Sequence, residues 1–264
     1  MSSFRKKISW PDFLVTASLL LIFGFLLAEK IDLVTLDLGR YLKNGELFWA
    51  KGLIPQTNLY SFTWPDFSFL NHHWLTGPVF FLVQTVAGFE GLSILYIGLS
   101  FLTFLLFFSL AKQESGLTVA LASSLLALPL LVSRREIRPE IFSYFFTGLI
   151  FWLLWQYRQK RISSRPLFLI PVIEFAWVNL HLYFFLGLIL TAIFLIDARI
   201  RPEARRRPGI FRQPLCLVLI LSFAIVFVWE NSPLSNYTVQ ILGFLVFLYL
   251  IISARKKGKG FLTM

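Results

Sequence analysis

The chain has 264 residues, 57% of them hydrophobic, with 30 Phe, a mean hydropathy of +0.72, and 25 basic against 14 acidic residues. That composition excludes a water-soluble domain of this length, and the single cysteine, Cys216, excludes an intrachain disulfide or a thiolate metal cluster. The net charge of +11 sits in short basic clusters between apolar runs, the pattern of membrane orientation signals, which argues against nucleic acid as a partner.

In chain order, Arg5-Lys6-Lys7 precede an apolar stretch over 12–34. No small-residue cleavage site comes before Glu29, so the expectation is a retained first span and a mature chain starting near Met1. The longest hydrophilic stretch follows at 35–73 and reads as an amphipathic helix from Asp37 to Ala50, a turn at Gly52 and Pro55, and an extended aromatic segment to Phe69. Further apolar stretches lie at 74–89, 91–111, 116–134, 140–157, 166–180, 182–197, 214–230 and 236–254. A helix needs about 20 residues to cross about 30 Å of hydrocarbon, so 166–180 and 182–197, short and interrupted by Glu174, are expected as a tilted hairpin.

Charge orients these segments. With the N-terminus inside and every stretch except 74–89 crossing, Lys112, Arg158–Arg165, Arg199–Arg212 and both basic ends fall in the cytoplasm, and seven basic residues remain outside. If 74–89 also crossed, Arg158–Arg165 and Arg199–Arg212 would move outside, against the positive-inside bias. The expectation is therefore one all-α integral membrane domain over 1–264. It has about eight spans, both termini in the cytoplasm, an extracytoplasmic loop at 35–73, and an interfacial or re-entrant helix at 74–89. The implied location is the cytoplasmic (inner) membrane, with its basic loops against anionic lipid headgroups.

This topology gathers the unusual polar residues on the outer side: Asp37, Arg40, Asn58, Asn71, His72, His73, Arg134, Arg135, Arg138, Glu140, Asn179, His181, Glu230 and Asn231. Ionisable groups near hydrocarbon are costly and are kept mainly where they face a bundle interior or wet cavity, so the clustering points to a substrate site. Asp37 can accept a proton or hold a divalent cation, and it also suits a helix N-cap. Adjacent His72 and His73 point in different directions on a helix and do not make an i, i+4 metal pair; one can bind a phosphate or sugar hydroxyl, or both can anchor the interface with Trp74.

The run Arg134-Arg135-Glu136-Ile137-Arg138-Pro139-Glu140 is a basic knot on the side that should be poor in positive charge. Its guanidinium groups suit a lipid phosphate or pyrophosphate, with headgroup anchoring as the plainer alternative, and Glu140 complements a helix N-terminus. Glu174 and His181, seven apart, share a helix face: Glu174 reads as a structural brace, and Asn179 and His181 as substrate contacts. Trp229-Glu230-Asn231-Ser232-Pro233 fits a functional turn or simple helix termination equally well.

Several of these segments together resemble one family. Asp37-Leu38-Gly39-Arg40-Tyr41-Leu42-Lys43-Asn44-Gly45, then Gly52-Leu53-Ile54-Pro55-Gln56-Thr57-Asn58-Leu59-Tyr60-Ser61 and Asn71-His72-His73-Trp74-Leu75, resemble the first outer loop of GT-C class membrane glycosyltransferases of the dolichyl-phosphate-mannose mannosyltransferase type. Arg138-Pro139-Glu140 and Trp177-Val178-Asn179-Leu180-His181 recur there in similar order, and the likeness covers roughly residues 10–200.

The resemblance implies a polyprenyl-phosphate-linked sugar as donor, a glycan, lipid or protein acceptor, and a juxtamembrane helix at 74–89. It implies inverting hexosyl transfer with Asp37 as the base, and Arg40, Asn58, His72, His73, Arg134, Arg135, Arg138, Glu140, Asn179 and His181 about the substrates. Relatives often carry an acid where this chain has Asn58, and many use a histidine near Arg40-Tyr41; no cofactor is implied with certainty, and a divalent cation is an option. The chain is also shorter than usual for the class, as a minimal member, a fragment, a partner-dependent subunit or an inactive relative would be. The rival classes are a lipid or lipid-linked-sugar transporter or flippase, and a noncatalytic membrane assembly subunit. An intramembrane protease is disfavoured, because no paired aspartates, Ser/His pair or His-Glu zinc motif lies within the spans.

Overall fold

The computed structural model describes residues 10–28, 37–68, 71, 73–133, 136–200, 217–218 and 220–222. These residues are all-α, with helices α1 (Trp10–Leu27), α2 (Leu38–Lys51), α3 (Thr76–Val132), α4 (Glu140–Arg158), α5 (Ile170–Leu180) and α6 (Phe185–Ile200). Two 3-10 turns, Arg165–Leu169 and Leu182–Phe184, precede α5 and α6. The one β feature among them is an isolated antiparallel bridge between Thr57 and Ser68. The expected spans at 214–230 and 236–254 lie almost wholly outside the described residues, as do His72, Arg134, Arg135, Glu230 and Asn231.

Of the described helices, α3 alone is both long and apolar enough to cross a membrane, with 57 residues and a mean hydropathy of 2.3 in its most apolar window. It is not one rod. Gly88 (φ 68°, ψ −165°) and Gly116 (φ 82°, ψ 173°) leave helical geometry and divide it into stretches 76–87, 89–115 and 117–132. Left-handed φ suits glycine, which has no Cβ to clash with the backbone. The breaks fall at the seams between the apolar runs 74–89, 91–111 and 116–134. At 1.5 Å per residue the middle stretch is about 40 Å long, enough for the hydrocarbon of a bilayer. Shorter apolar helices occupy Phe13–Leu27 and Leu182–Ala198.

The fold contains two compact units, residues 1–152 with 177–186, and 153–176 with 187–264. In the first, α2 places Leu38, Tyr41, Asn44 and Gly45 on one buried face, a helical i, i+3, i+7 spacing, and ends at left-handed Gly52, whose N–H donates to Phe48 O at 2.8 Å. That face lies directly on the first stretch of α3. A Cβ on Gly45 would collide with the Gly77 carbonyl and the Phe81 Cβ, and a Cβ on Gly77 would stand 2.9 Å from Tyr41 O. The helix α1 packs on α3 through Phe23, whose ring centroid is 5.8 Å from Phe101 and 5.4 Å from Phe104. Leu19, Phe23, Leu38, Tyr41, Phe80, Tyr96, Phe104, Ile137, Ile141 and Leu180 belong to one core cluster.

In the second unit, a forked ion pair joins the C-terminal ends of α4 and α6: Arg158 Nε and Nη2 donate to the two Asp197 carboxylate oxygens at 3.1 and 3.3 Å. Trp155 packs edge-on against Phe194, and the Arg158 guanidinium lies 4.7 Å from the Trp155 ring centre. Glu174, expected as a brace, is fully buried on α5, and among the described residues neither of its carboxyl oxygens has a hydrogen-bond partner.

Replacing Gly45 by Ala forces α2 off α3 and should cost about 1–3 kcal/mol, the range for overpacked cores. Gly39→Ala, on the same helix with nothing within 4 Å of the added Cβ, should be neutral or slightly stabilising. Denaturation midpoints of the two variants in detergent check this pair.

Candidate functional site

The group around Asp37 is set by the start of α2. Asp37 occupies the N-cap position (φ −67°, ψ −1°), yet its side chain makes no capping hydrogen bond; its backbone carbonyl accepts the Tyr41 N–H at 3.1 Å. The carboxylate instead faces Arg40, Oδ1 to Nη2 3.5 Å, and the Asp37 side chain is 62% exposed. An exposed pair of this kind contributes little to stability, so the capping role considered for Asp37 does not account for its side chain. The Arg40 guanidinium also lies 5.3 Å from the Tyr41 ring centre.

Tyr41 links this group to the second histidine. Its hydroxyl is 3.3 Å from His73 Nε2, and the two rings meet edge to face with centroids 5.6 Å apart. Burial, the largest influence, raises the Tyr41 phenol above its ordinary value of 10.0; Arg40 acts downward, while Asp37 and Glu140 act upward. Glu140, the first residue of α4, is thus close enough for its charge to be felt at Tyr41. One group therefore contains Asp37, Arg40, Tyr41 and His73.

Beside it, the segment leading into α4 is pinned by buried Ile137, and the Arg138 guanidinium forms an ion pair with Glu136, Nε to Oε2 3.1 Å. Glu136, Arg138 and Glu140 line a small half-open pocket with Tyr96, Ile141 and Tyr144. The arginine expected to await a phosphate is thus already paired with a carboxylate that the sequence reading left without a role.

Asn179 and His181 lie where the end of α5 meets α3 and α4. Asn179 is 2% exposed and accepts the Trp74 indole N–H at Oδ1, 2.8 Å, while its backbone carbonyl accepts Leu75 N–H at 3.1 Å. Thr76 donates its hydroxyl to Leu180 O at 2.6 Å. Buried His181 lies 2.7 Å from Ser143 Oγ through Nδ1, and that same Ser143 oxygen accepts the Trp177 indole N–H at 2.7 Å. These two residues fasten the chain at 177–181 to the start of α3 and to α4, because buried polar atoms must find partners. Asn58 serves the loop: its N–H donates to Phe67 O and its carbonyl accepts from Ser61 N–H, both at 2.9 Å.

Sequence reasoning passed over Tyr41, Trp74, Thr76, Ser143 and Trp177 as partners. The available signal was indole chemistry: a tryptophan removed from water needs an acceptor for its N–H, and half-buried Trp74 and buried Trp177 flank the polar motifs. Among the described residues no group of three or more His, Cys, Asp or Glu is placed to hold a metal ion.

Ser143→Ala should destabilise the chain by about 1–3 kcal/mol, because Trp177 and His181 lose a shared buried partner; Ser133→Ala, at an exposed helix end, should not, and chemical denaturation separates the two. Tyr41 binds its proton more tightly folded than unfolded, so its contribution is full below pH 10 and is lost as pH rises through the raised value; Tyr41→Phe should flatten that alkaline decline in unfolding midpoint. Comparison with protein families, curated proteins and solved structures finds no match to this chain.

Proposed function

We propose that this chain is an inverting membrane glycosyltransferase, which moves a sugar from a polyprenyl-phosphate carrier to an acceptor hydroxyl on the extracytoplasmic face. In this reading the chain crosses the membrane about eight times with both ends in the cytoplasm, and 74–89 lies along the interface. The observation that carries it is the state of Asp37: a carboxylate at the start of α2, uncapped, exposed and facing Arg40 beside the Tyr41–His73 pair.

The acceptor oxygen attacks the anomeric carbon, the bond from that carbon to the phosphate oxygen breaks with its electron pair, and Asp37 takes the hydroxyl proton. Arg40, and the basic run containing Arg138, supply cationic stabilisation for the leaving phosphate. The pairing of Arg138 with Glu136 fits this role if the phosphate displaces the carboxylate and takes over the guanidinium. Outward-facing Phe25, Val86 and Leu126, about four-fifths exposed, support the membrane setting, since in water such surface drives aggregation.

Asp37→Asn in nanodiscs with a panel of polyprenyl-phosphate sugars should reduce donor turnover about 10²–10⁴-fold, the usual worth of a general base, while donor binding persists. Alanine at Arg134, Arg135 and Arg138 together should also depress turnover; unchanged turnover would remove the arginines from the mechanism. A second reading, a lipid or lipid-linked-sugar transporter, is favoured by Glu174, since a buried carboxyl without a hydrogen-bond partner among the described residues is a feature of proton-coupled carriers. Under that reading both wild type and Asp37→Asn bind donor without consuming it, and Glu174→Gln abolishes movement of the lipid between leaflets.

A further inference from the structure

The loop between α2 and α3 carries an unusual surface. Leu59, Tyr60, Phe62, Trp64 and Phe67 are all exposed, Phe62 completely and Trp64 by 67%, and Trp49 and Leu53 extend the patch at the end of α2. Trp64 and Phe67 meet edge to face with centroids 5.9 Å apart, both exposed instead of folded into the core. From Gly52 to Ser68 the chain has no basic residue and a single acidic one, Asp66.

Part of this loop's backbone is bonded within the loop itself. Asn58 N–H donates to Phe67 O, Ser61 N–H to Asn58 O, Leu59 N–H to Thr57 O and Phe67 N–H to Trp64 O, while the Trp64 N–H is taken by the Ser61 hydroxyl at 3.0 Å. The bridge between Thr57 and Ser68 closes the base, and Tyr60 donates its hydroxyl to Asn44 Oδ1 at 2.6 Å, tying the loop to the buried face of α2.

These two properties together select the partner. Backbone groups not bonded within the loop are satisfied at the hydrated headgroup level, so only the apolar side chains of such a loop need reach the hydrocarbon, which offers no partners. Tryptophan and tyrosine are the side chains that favour the boundary between headgroups and acyl chains. We propose that residues 57–68 form a membrane-inserting aromatic finger: Phe62, Trp64 and Phe67 enter the leaflet beside the head of α2, and Asp66 stays at the headgroup level. The Tyr60–Asn44 bond then sets the height of α2, and with it of Asp37 and Arg40, relative to the lipid surface.

The inference concerns location and is read without any transfer assay, so it fails separately from the glycosyltransferase reading. In a background with Cys216→Ser, which removes the only native cysteine, Phe62→Cys and Gln56→Cys are labelled with an environment-sensitive fluorophore in the full chain in nanodiscs. Lipids brominated on the upper acyl chain should quench the probe at position 62 several-fold and leave the probe at the loop base, position 56, nearly unaffected. Placing the cysteine at Phe67 gives a second, independent position with the same expectation as 62. Water-like, unquenched emission at 62 and 67 overturns the proposal. Blue-shifted emission insensitive to brominated lipid also overturns it, and assigns the finger to a protein contact.

Discussion

The backbones of α2 and of the first stretch of α3 meet with no side chain between them at Gly45 and Gly77. Much of the first unit depends on that approach. It brings Tyr41, one turn before Gly45, within reach of His73, three residues before Thr76 opens α3, and it lets Trp49 donate its indole N–H to Pro78 O at 3.0 Å. Two glycines do here what small-residue stripes do between helices in a membrane, where dispersion and hydrogen bonds at short range replace the hydrophobic effect as the driving force. A short amphipathic helix with little core of its own is thereby held rigidly enough to present Asp37 and Arg40.

The second constraint is polar. A bundle that exposes apolar side chains and buries Asn179, Thr76, Ser143 and His181 must pair every one of them, and it does so with two indoles, backbone carbonyls and one shared hydroxyl. Such a network fixes geometry more than it adds net stability, since each bond replaces one to water but a missing partner costs its full desolvation. The Ser143 hydroxyl, shared by Trp177 and His181, joins α4 to the chain just after α5, and the bonds from Trp74, Leu75 and Thr76 join the same segment to α3. The exposed carboxylate of Asp37 stands outside this network, and that contrast between locked and unlocked polar groups separates the structural residues from the candidate base.

Helical class was legible in the sequence because apolar run length and charge clustering report it directly: runs of 15–23 residues punctuated by basic groups admit few other solutions. The apolar runs 74–89, 91–111 and 116–134, separate in the sequence, lie in one helix that leaves helical geometry at Gly88 and Gly116, where those runs meet. Asp37, Arg40 and His73 were recognisable as candidates from residue type and position, and the fold brings them together around Tyr41.

What the tertiary structure decided was the division of labour among residues of one chemical type. Asn179 and His181 read as substrate contacts in one dimension, and the fold gives Asn179 Oδ1 to Trp74 and His181 Nδ1 to Ser143, 105 and 38 residues away in sequence. Likewise an arginine next to two acids in sequence can bind phosphate or pair internally, and the local geometry gives Arg138 to Glu136. Sequence by itself determined the helical class and the division of the chain into apolar runs, because composition and run length are read along one dimension. The assignment of each polar group to scaffold or to surface belonged to the fold, because a hydrogen bond is a property of two groups that only the folded chain brings together.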